Sequence, residues 1–348
     1  MPNRHCHLVD LSCMSGVRAS LALGYLQAYA LTDDVVREAF RFHRHVWSLS
    51  EPFETLAERV LEAIREAGGA DVVGLTTFFW NRALNLGLSA RIKREYPHAV
   101  IVLGGNEVTN QGEEVLTESL DVDFVVHGEG EVTFRDLLRE LASPSPDPSR
   151  VAGLSWRGAD GTVLTSPPRG RLAELDEIPS PFLTGLLSPA ELGDTRTLVY
   201  EFSRGCPFRC AFCHWGAAVN TPTRRFSLAR IEADLDYIIR NMPRGGTLFL
   251  ADANFGMVQQ DVEIARIMVD LLQRHDKSIY LFANWSKNTT SRVVEAARVL
   301  FQGRMIAGVT LSAQSLNEEA LRFASRKNIK FDYYRSLQSE FRALGIPT

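Results

Sequence analysis

Three of the five cysteines lie within one eight-residue segment, CPFRCAFC, which runs from Cys206 through Cys210 to Cys213. Thiolates clustered this closely are ligands for zinc, copper(I) or an iron–sulfur cluster. We expect the segment to form a loop around the metal rather than a helix. Three thiolates on a four-iron cluster would leave one iron without a protein ligand, and that iron could bind a small molecule. The segment therefore predicts a metal centre with one reactive position.

Three other interpretations of the segment are open from the residues alone. Cys210, Cys213 and His214 form the C-x-x-C-H pattern of c-type haem attachment, which requires export, and no signal peptide is visible. The three cysteines with His214 could instead hold a structural zinc, although adjacent ligands at 213 and 214 are difficult to direct at one ion. An inert or disulfide-bonded group of cysteines is the third alternative.

The spacing C-x-x-x-C-x-x-C resembles the signature of the radical S-adenosylmethionine (SAM) family. In that family the open iron of a [4Fe-4S] cluster chelates the amino and carboxylate groups of SAM, and an electron from the cluster cleaves SAM to a 5′-deoxyadenosyl radical. The resemblance implies that Cys206, Cys210 and Cys213 are the cluster ligands.

Length and composition limit the class of protein. A chain of 348 residues with 45% hydrophobic content is long enough for two domains with buried cores. The net charge of −4 argues against a nucleic-acid-binding surface. No apolar run reaches transmembrane length, and clustered cysteines suit a reducing compartment. We expect a cytoplasmic protein with no nucleic-acid or membrane partner.

The first part of the chain alternates short apolar runs with amphipathic stretches, which is the pattern of a parallel sheet covered by helices. The predicted strands are 7–11, 36–41, 72–76, 100–103 and 124–127. The predicted helices are 18–30, 52–67, 82–95, 112–119 and 132–141. We expect an α/β, doubly wound (Rossmann-like) domain over residues 1–142.

Polar and glycine-rich segments follow the predicted strands, where doubly wound sheets bind ligands. Glycines there allow close approach of the backbone, and helix N-termini supply amide donors. In this order the segments resemble the cobalamin-binding domain that precedes the catalytic domain in one large radical SAM subfamily. The resemblance implies cobalamin contacts at Asp10, Leu11, Thr76, Thr77, Trp80, Asn81, Gly104, Gly105, Asn106, Glu107, Val108, Gly128, Glu129 and Gly130. The alternative is a doubly wound domain that binds a nucleotide or nothing.

The cobalamin resemblance includes one departure. Cobalamin mutases and methionine synthase ligate cobalt through the histidine of D-x-H-x-x-G, and that string is absent from the sequence. The radical SAM subfamily usually lacks it too. The lower cobalt face would then lie against residues 76–81 without a histidine ligand, and burial and packing would tune the cobalt.

A proline-rich break at 143–149 marks the predicted end of the first domain. A hairpin (151–156 and 162–166) and an extended stretch (175–182) form a predicted linker over residues 143–195. Residues 196–348 then alternate strands and helices as a partial (β/α) barrel, which looks truncated at its C-terminal end. Its predicted strands are 197–202, 247–250, 278–282 and 305–311, and its predicted helices are 227–241, 260–274, 291–301, 317–325 and 333–344.

The radical SAM resemblance also implies SAM contacts at Phe212, Trp215, Asp252, Asn254, Ser312, Gln314 and Arg326. Phe212 would flank the adenine and Trp215 would close the same pocket, while Arg326 would pair with the methionine carboxylate, which a guanidinium can bind through two hydrogen bonds. The alternatives are a capped turn at Asp252, core packing for either aromatic residue and a solvated arginine. The segment 284–287 is a weaker candidate for SAM or substrate contact.

The resemblance covers nearly the whole chain and implies a cobalamin-dependent radical SAM methyltransferase, including the tryptophan C-methyltransferase type. One SAM would methylate cobalamin, and a second would generate the radical that activates the substrate carbon. Its partners would be a small-molecule or peptide substrate and a reductant such as flavodoxin or ferredoxin. Two alternatives are a cobalamin-dependent radical SAM enzyme that catalyses a rearrangement or cyclisation, and a non-catalytic cobalamin- or cluster-binding fragment.

Overall fold

The structure is a computed structural model, and it describes residues 3–213, 221–286, 291–311, 313, 315–326 and 331–348. The chain divides into two compact units. The first comprises residues 1–172 and 178–187, and the second comprises 173–177 and 188–348. The residues of the predicted linker, 143–195, are thus divided between the two units.

The first unit is built on one mixed sheet. Its strands are β1 (Arg4–Ser12), β2 (Phe40–Ser48), β3 (Val72–Thr76), β4 (Val100–Gly104), β5 (Phe124–Val126), β6 (Leu154–Arg157) and β7 (Val163–Thr165). The strand order is β2-β1-β3-β4-β5-β6-β7. Strands β1 to β5 run parallel, while β6 and β7 are antiparallel to their neighbours. The carboxyl ends of the parallel strands therefore share one edge.

Helices cover both faces of this sheet. They are α1 (Leu21–Ala30), α2 (Asp34–Ala39), α3 (Phe53–Ala67), α4 (Arg82–Glu95), α5 (Gly112–Glu118) and α6 (Gly130–Ala142). Apolar side chains of α3, α4 and α5 form one buried core with the sheet, and those of α1, α2 and α6 form another. Burial on both faces explains the near-continuous apolar sequences of β3, β4 and β5, and the helices on both faces confirm the doubly wound fold.

Two predictions for the first unit were wrong in detail. The predicted strand 36–41 is mostly helix α2, because the Asp33 carboxylate accepts hydrogen bonds from the backbone N–H groups of Val35 and Val36 and starts a helix there. The strand begins only at Phe40. The predicted hairpin does form, but β6 pairs with β5, so the hairpin extends the sheet instead of belonging to a linker.

The second unit contains a three-stranded parallel sheet of β8 (Thr197–Tyr200), β11 (Gly246–Leu250) and β12 (Ile279–Phe282), in the order β12-β11-β8. A short antiparallel pair joins β9 (Ser203–Arg204) to β10 (Arg224–Arg225). Its helices are α7 (Pro189–Gly193), α8 (Leu228–Asn241), α9 (Gln259–Arg274), α10 (Ser291–Gln302), α11 (Glu318–Phe323) and α12 (Phe331–Ala343).

The predicted strand 305–311 is not a strand in the described residues. The Leu281 N–H donates to the Met305 carbonyl at 2.7 Å, so the chain begins to run beside β12, but it does not continue as a ladder. Val309 instead donates to the carbonyl of Pro347 at 2.9 Å. A backbone N–H that bonds to this later segment is not available to a regular parallel strand.

Four histidines are stacked where β1 and β2 pair at the edge of the first sheet. His5 and His7 lie on β1, and His43 and His45 lie on β2, with ring centroids 4.7–5.3 Å apart. His7 Nδ1 lies 2.9 Å from His45 Nε2, and His5 Nδ1 lies 3.1 Å from His43 Nε2. A hydrogen bond between two imidazoles requires one neutral acceptor nitrogen, so protonation of both rings breaks it.

This histidine stack should make the first unit acid-labile. Burial lowers the pKa of His7 from 6.5 to about 4 and that of His45 to about 3. The unfolded chain therefore binds more protons than the folded chain once the pH falls below 6.5. The free energy of unfolding should fall by on the order of 3 kcal/mol for His7 between about pH 7 and pH 4. Urea unfolding at several pH values measures this, and His7→Gln should flatten the dependence while His98→Gln, at an exposed histidine, should not.

Candidate functional site

The cysteine loop is closed at its base by backbone pairing. β9 leads into the loop and β10 leads out of it, and the Thr221 N–H donates to the Cys206 carbonyl at 3.0 Å. Gly205 has a φ of +108°, and a Cβ there would lie 2.5 Å from the Pro222 carbonyl oxygen. Only glycine allows the two legs of the loop to approach this closely. The loop starts directly after β8, at the carboxyl end of the parallel sheet.

Two carboxylates hold the segments that lead into and out of the cysteine loop. One lies in the connection from β11 to α9, and the other lies in α9. Asp252 accepts hydrogen bonds from the Phe202 N–H, at 2.8 Å, and from the Ser203 hydroxyl. On the returning leg, Arg225 pairs with the buried carboxylate of Asp261. The next βα unit therefore fixes where the cysteine loop begins and where it ends.

Both oxygens of Asp252 are engaged by the chain itself. Its side chain is almost fully buried, and burial raises its pKa to about 7, against the hydrogen bonds from Ser203 and Phe202 that lower it. This geometry matches the capped-turn alternative for Asp252 more closely than a direct SAM contact. The residue positions the strand that carries the loop.

Two donors from outside the loop reach cysteine sulfurs. The Asn254 side-chain amide donates to Cys206 Sγ at 3.3 Å, and the Arg326 guanidinium donates to Cys210 Sγ at 3.1 Å. Arg326 Nε is buried and has no hydrogen-bond partner within the described residues. Cys206 and Cys210 are themselves buried, whereas Cys213 is half-buried. A cation and an amide aimed at thiols fit sulfurs that carry negative charge.

The donor set fits an iron–sulfur cluster. In a four-iron cluster each cysteine binds a different iron, so the thiolates stand further apart than the ligands of one ion. Within residues 3–213 and the later described segments, no three His, Cys, Asp or Glu side chains are grouped to hold a single metal ion. The three cysteines lie on one loop, and hydrogen-bond donors reach two of their sulfurs, which suits thiolate ligands of a cluster.

The other predicted SAM contacts are placed as follows. Phe212 is 52% exposed, so its ring is not core packing and is available to stack on a ligand. The Asn284 carbonyl is used by the Phe255 N–H. The predictions at His214, Trp215, Lys287, Ser312 and Gln314 lie outside the described residues.

In the first unit, Asp10 and Thr76 meet where β1 and β3 end. Asp10 accepts hydrogen bonds from Ser20, at 2.7 Å, and from Thr76, at 3.2 Å, while burial raises the pKa of its carboxyl group. Ser20 is also the N-cap residue of α1. Sequence inspection missed Ser20, although a serine in front of an apolar helix is a recognisable cap signal.

Asn81 and Thr77 tie the strand ends together from inside. The Asn81 amide donates to the carbonyls of Leu11 and Thr76 at 3.0 Å, and its oxygen accepts from the Phe78 N–H. Both side chains are fully buried. They therefore shape the edge of the sheet, and their side chains are not exposed to a ligand. Leu11 and Val108 are likewise buried.

An aromatic surface and glycine turns line the same edge. Phe78 and Trp80 stack at 4.6 Å, and Trp80 remains 37% exposed, which leaves a flat apolar surface after β3. Gly105 has a φ of +124° after β4, and Gly128 has a φ of +70° just before α6. Five further residues complete the predicted set. Asn106 is exposed, Gly104, Glu107 and Glu129 are half-buried, and Gly130 is the first residue of α6.

Fold and site together define an α/β protein in which a doubly wound unit, with a glycine-lined strand edge, precedes a parallel unit that carries a three-cysteine loop at its strand ends. Residues 25–138 match the B12 binding domain family, and residues 200–348 match the Radical SAM superfamily. The chain therefore belongs to the radical SAM superfamily, among the members that carry a B12-binding domain ahead of the radical SAM domain. This membership favours the iron–sulfur interpretation of the cysteine loop over haem or zinc.

Curated relatives support this assignment. The cobalamin-dependent radical SAM methyltransferase TokK of Streptomyces tokunonensis is 32% identical over 333 residues, which cover 94% of this chain and 47% of TokK. The 2-(S-pantetheinyl)-carbapenam-3-carboxylate methyltransferase of Streptantibioticus cattleyicolor has the same identity and coverage. The chain spans about half the length of these relatives.

A solved structure shares the fold. The radical S-adenosylmethionine methyltransferase TsrM from Kitasatospora setae, with tryptophan substrate and a SAM analogue bound, aligns with a TM-score of 0.71 over 99% of this chain and 66% of TsrM, at 17% identity. No helix among the described residues is both long and apolar enough to cross a membrane.

Proposed function

We propose that the chain binds the cofactors of a cobalamin-dependent radical SAM methyltransferase. One observation carries the proposal: a cysteine loop, with donors on two of its sulfurs, stands at the strand ends of a radical SAM domain that follows a B12-binding domain in the same chain. Two relatives that align with 94% of this chain are named as methyltransferases.

Residues of the second unit form the site for the cluster and SAM. Cys206, Cys210 and Cys213 hold the cluster and leave one iron for SAM. Arg326, with its Nε free of partners among the described residues, can bind the SAM carboxylate, and Phe212 offers an exposed ring to the adenine. When bound, the cluster supplies the electron that cleaves SAM, and cobalamin carries the methyl group.

We propose a small molecule as the substrate, because the relatives' names specify a carbapenam and tryptophan. A peptide that presents a tryptophan side chain is the alternative kind of substrate. We further propose that the protein acts in the reducing cytoplasm with flavodoxin or ferredoxin as electron donor. None of the five cysteines is paired in a disulfide bond, which suits that compartment.

The test is anaerobic reconstitution of the protein with iron, sulfide and hydroxocobalamin, followed by SAM labelled in its methyl group. A methyltransferase moves the label from SAM to cobalamin under reducing conditions. A protein that fills its cluster and binds cobalamin but leaves the label on SAM contradicts the proposal. Matched assays with Cys206→Ala separate cluster-dependent SAM cleavage from methylation of cobalamin.

A cyclisation is the second candidate. The anaerobic magnesium-protoporphyrin IX monomethyl ester cyclase of a Synechocystis species is 31% identical over 127 residues, which cover 36% of this chain. A cyclase of this kind would release 5′-deoxyadenosine from SAM without moving its methyl group. The two functions therefore differ in the fate of one label. Failure to cleave SAM in any assay, despite a full cluster, would instead indicate a non-catalytic cofactor-binding protein.

A further inference from the structure

Asn254 contacts a cluster ligand, although its position after β11 predicted a SAM contact. Its side-chain nitrogen donates to Cys206 Sγ at 3.3 Å, which is within hydrogen-bonding range for sulfur. The contact joins two residues that are 48 positions apart, so the fold creates it rather than the local sequence. Asn254 is half-buried, which reduces competition from water for the same donor.

The backbone on either side of Asn254 is fixed. The Ala251 N–H donates to the Tyr200 carbonyl at 2.8 Å, and the Phe255 N–H donates to the Asn284 carbonyl at 2.8 Å. Phe255 is buried and packs against Trp285. These contacts hold the connection from β11 to α9 against both neighbouring strand ends. They aim the Asn254 amide without using its side chain.

An amide that donates to a thiolate stabilises negative charge on the sulfur. Reduction adds one electron to a cluster, so the reduced state carries more negative charge on its ligands and gains more from the donor. We propose that Asn254 is a positioning residue that holds the Cys206 thiolate and makes the cluster easier to reduce. This inference rests on the proposed function only in that the loop must hold a cluster.

The experiment is a redox titration of the reconstituted cluster, followed by electron paramagnetic resonance, in the absence of SAM. In Asn254→Leu, which removes the donor at similar size, the equilibrium constant for one-electron reduction should fall about tenfold, a shift of about 59 mV to lower potential. Asn254→Asp, which places an acceptor and a charge beside the sulfur, should shift it further in the same direction. Asn241→Ala is the matched control, because the Asn241 side-chain amide donates to the Tyr237 carbonyl within α8. The cluster of this variant should have the reduction potential of the wild type.

Two results would overturn the inference. One is an unchanged potential in both Leu and Asp variants that contain a full cluster. The other result concerns cluster assembly, if Asn254→Leu assembles no cluster. Asn254→Ser keeps a hydrogen-bond donor and should restore assembly. Loss of the cluster in both variants would assign Asn254 a purely structural role. A wild-type protein that fails to take up iron would contradict the proposed function instead, which keeps the two failures distinct.

Discussion

Cys206→Ala should abolish the iron–sulfur cluster and leave cobalamin binding intact. Cys206 is buried at the start of the loop, receives the Asn254 donor and accepts the Thr221 N–H on its carbonyl. The two remaining thiolates cannot retain a four-iron cluster when excess iron is removed with a chelator. The iron content should therefore drop from about four per chain to below about one. SAM cleavage should fall below detection, because the open iron is lost with the cluster.

The cobalamin affinity of Cys206→Ala should stay within about twofold of the wild type, since the substituted side chain belongs to the second compact unit. Iron assay, absorbance and equilibrium cobalamin binding measure the three quantities on one preparation. Cys13→Ala is the control: this cysteine is exposed and outside the loop, and its variant should assemble a full cluster. Loss of cobalamin together with iron in Cys206→Ala would mean that the two units do not bind their cofactors independently.

The sequence was sufficient for features that depend on neighbouring residues. The spacing of Cys206, Cys210 and Cys213 identified the loop, and apolar runs next to glycines located the strand ends of the doubly wound sheet. These signals are local, because a metal loop and a tight turn are both encoded within a few consecutive residues. The structure places them at the carboxyl ends of parallel strands, as predicted.

Contacts between distant residues could not be predicted in the same way. Asp261 and Arg225 are 36 residues apart, and neither shows a motif, yet their ion pair holds the returning leg of the cysteine loop. The resemblance to cobalamin-binding domains implied a cobalamin contact at Asn81. The Asn81 side-chain amide donates to the backbone carbonyls of Leu11 and Thr76, and this contact depends on how the fold brings three chain segments together. Buried polar groups find partners through tertiary structure.

Element boundaries failed where two local signals competed. Val36 has high strand propensity, but the Asp33 cap places it in a helix, and a capping hydrogen bond is worth about 1 kcal/mol. The apolar run at 305–311 has the composition of a strand, but only Met305 bonds to β12 and Val309 bonds to Pro347. Propensity describes which conformation a segment tolerates, while pairing decides which one it adopts.

The converse of Cys206→Ala is Gly105→Ala, which should remove cobalamin and leave the cluster. Gly105 has a φ of +124°, and a Cβ there would lie 2.4 Å from the Thr77 carbonyl oxygen, so alanine must displace the turn after β4. Strain of this kind costs about 1–3 kcal/mol, and the displaced turn also loses its shape for a ligand. We expect the cobalamin Kd to rise about 100-fold, with about four irons still bound per chain.

Two companion variants make the Gly105 result specific. Gly170→Ala is the matched control, because a Cβ there meets nothing within 4 Å and cobalamin affinity should not change. Asn106→Trp places a large ring on an exposed position of the same turn, so it should obstruct the strand edge without straining the backbone. If both Gly105→Ala and Asn106→Trp fold, as judged by circular dichroism, and bind cobalamin like the wild type, the corrin does not lie at this edge. Weaker cobalamin binding in both variants, with the cluster retained, would place the corrin at this edge. One variant strains the backbone and the other obstructs the surface, so the altered turn is the feature that they have in common.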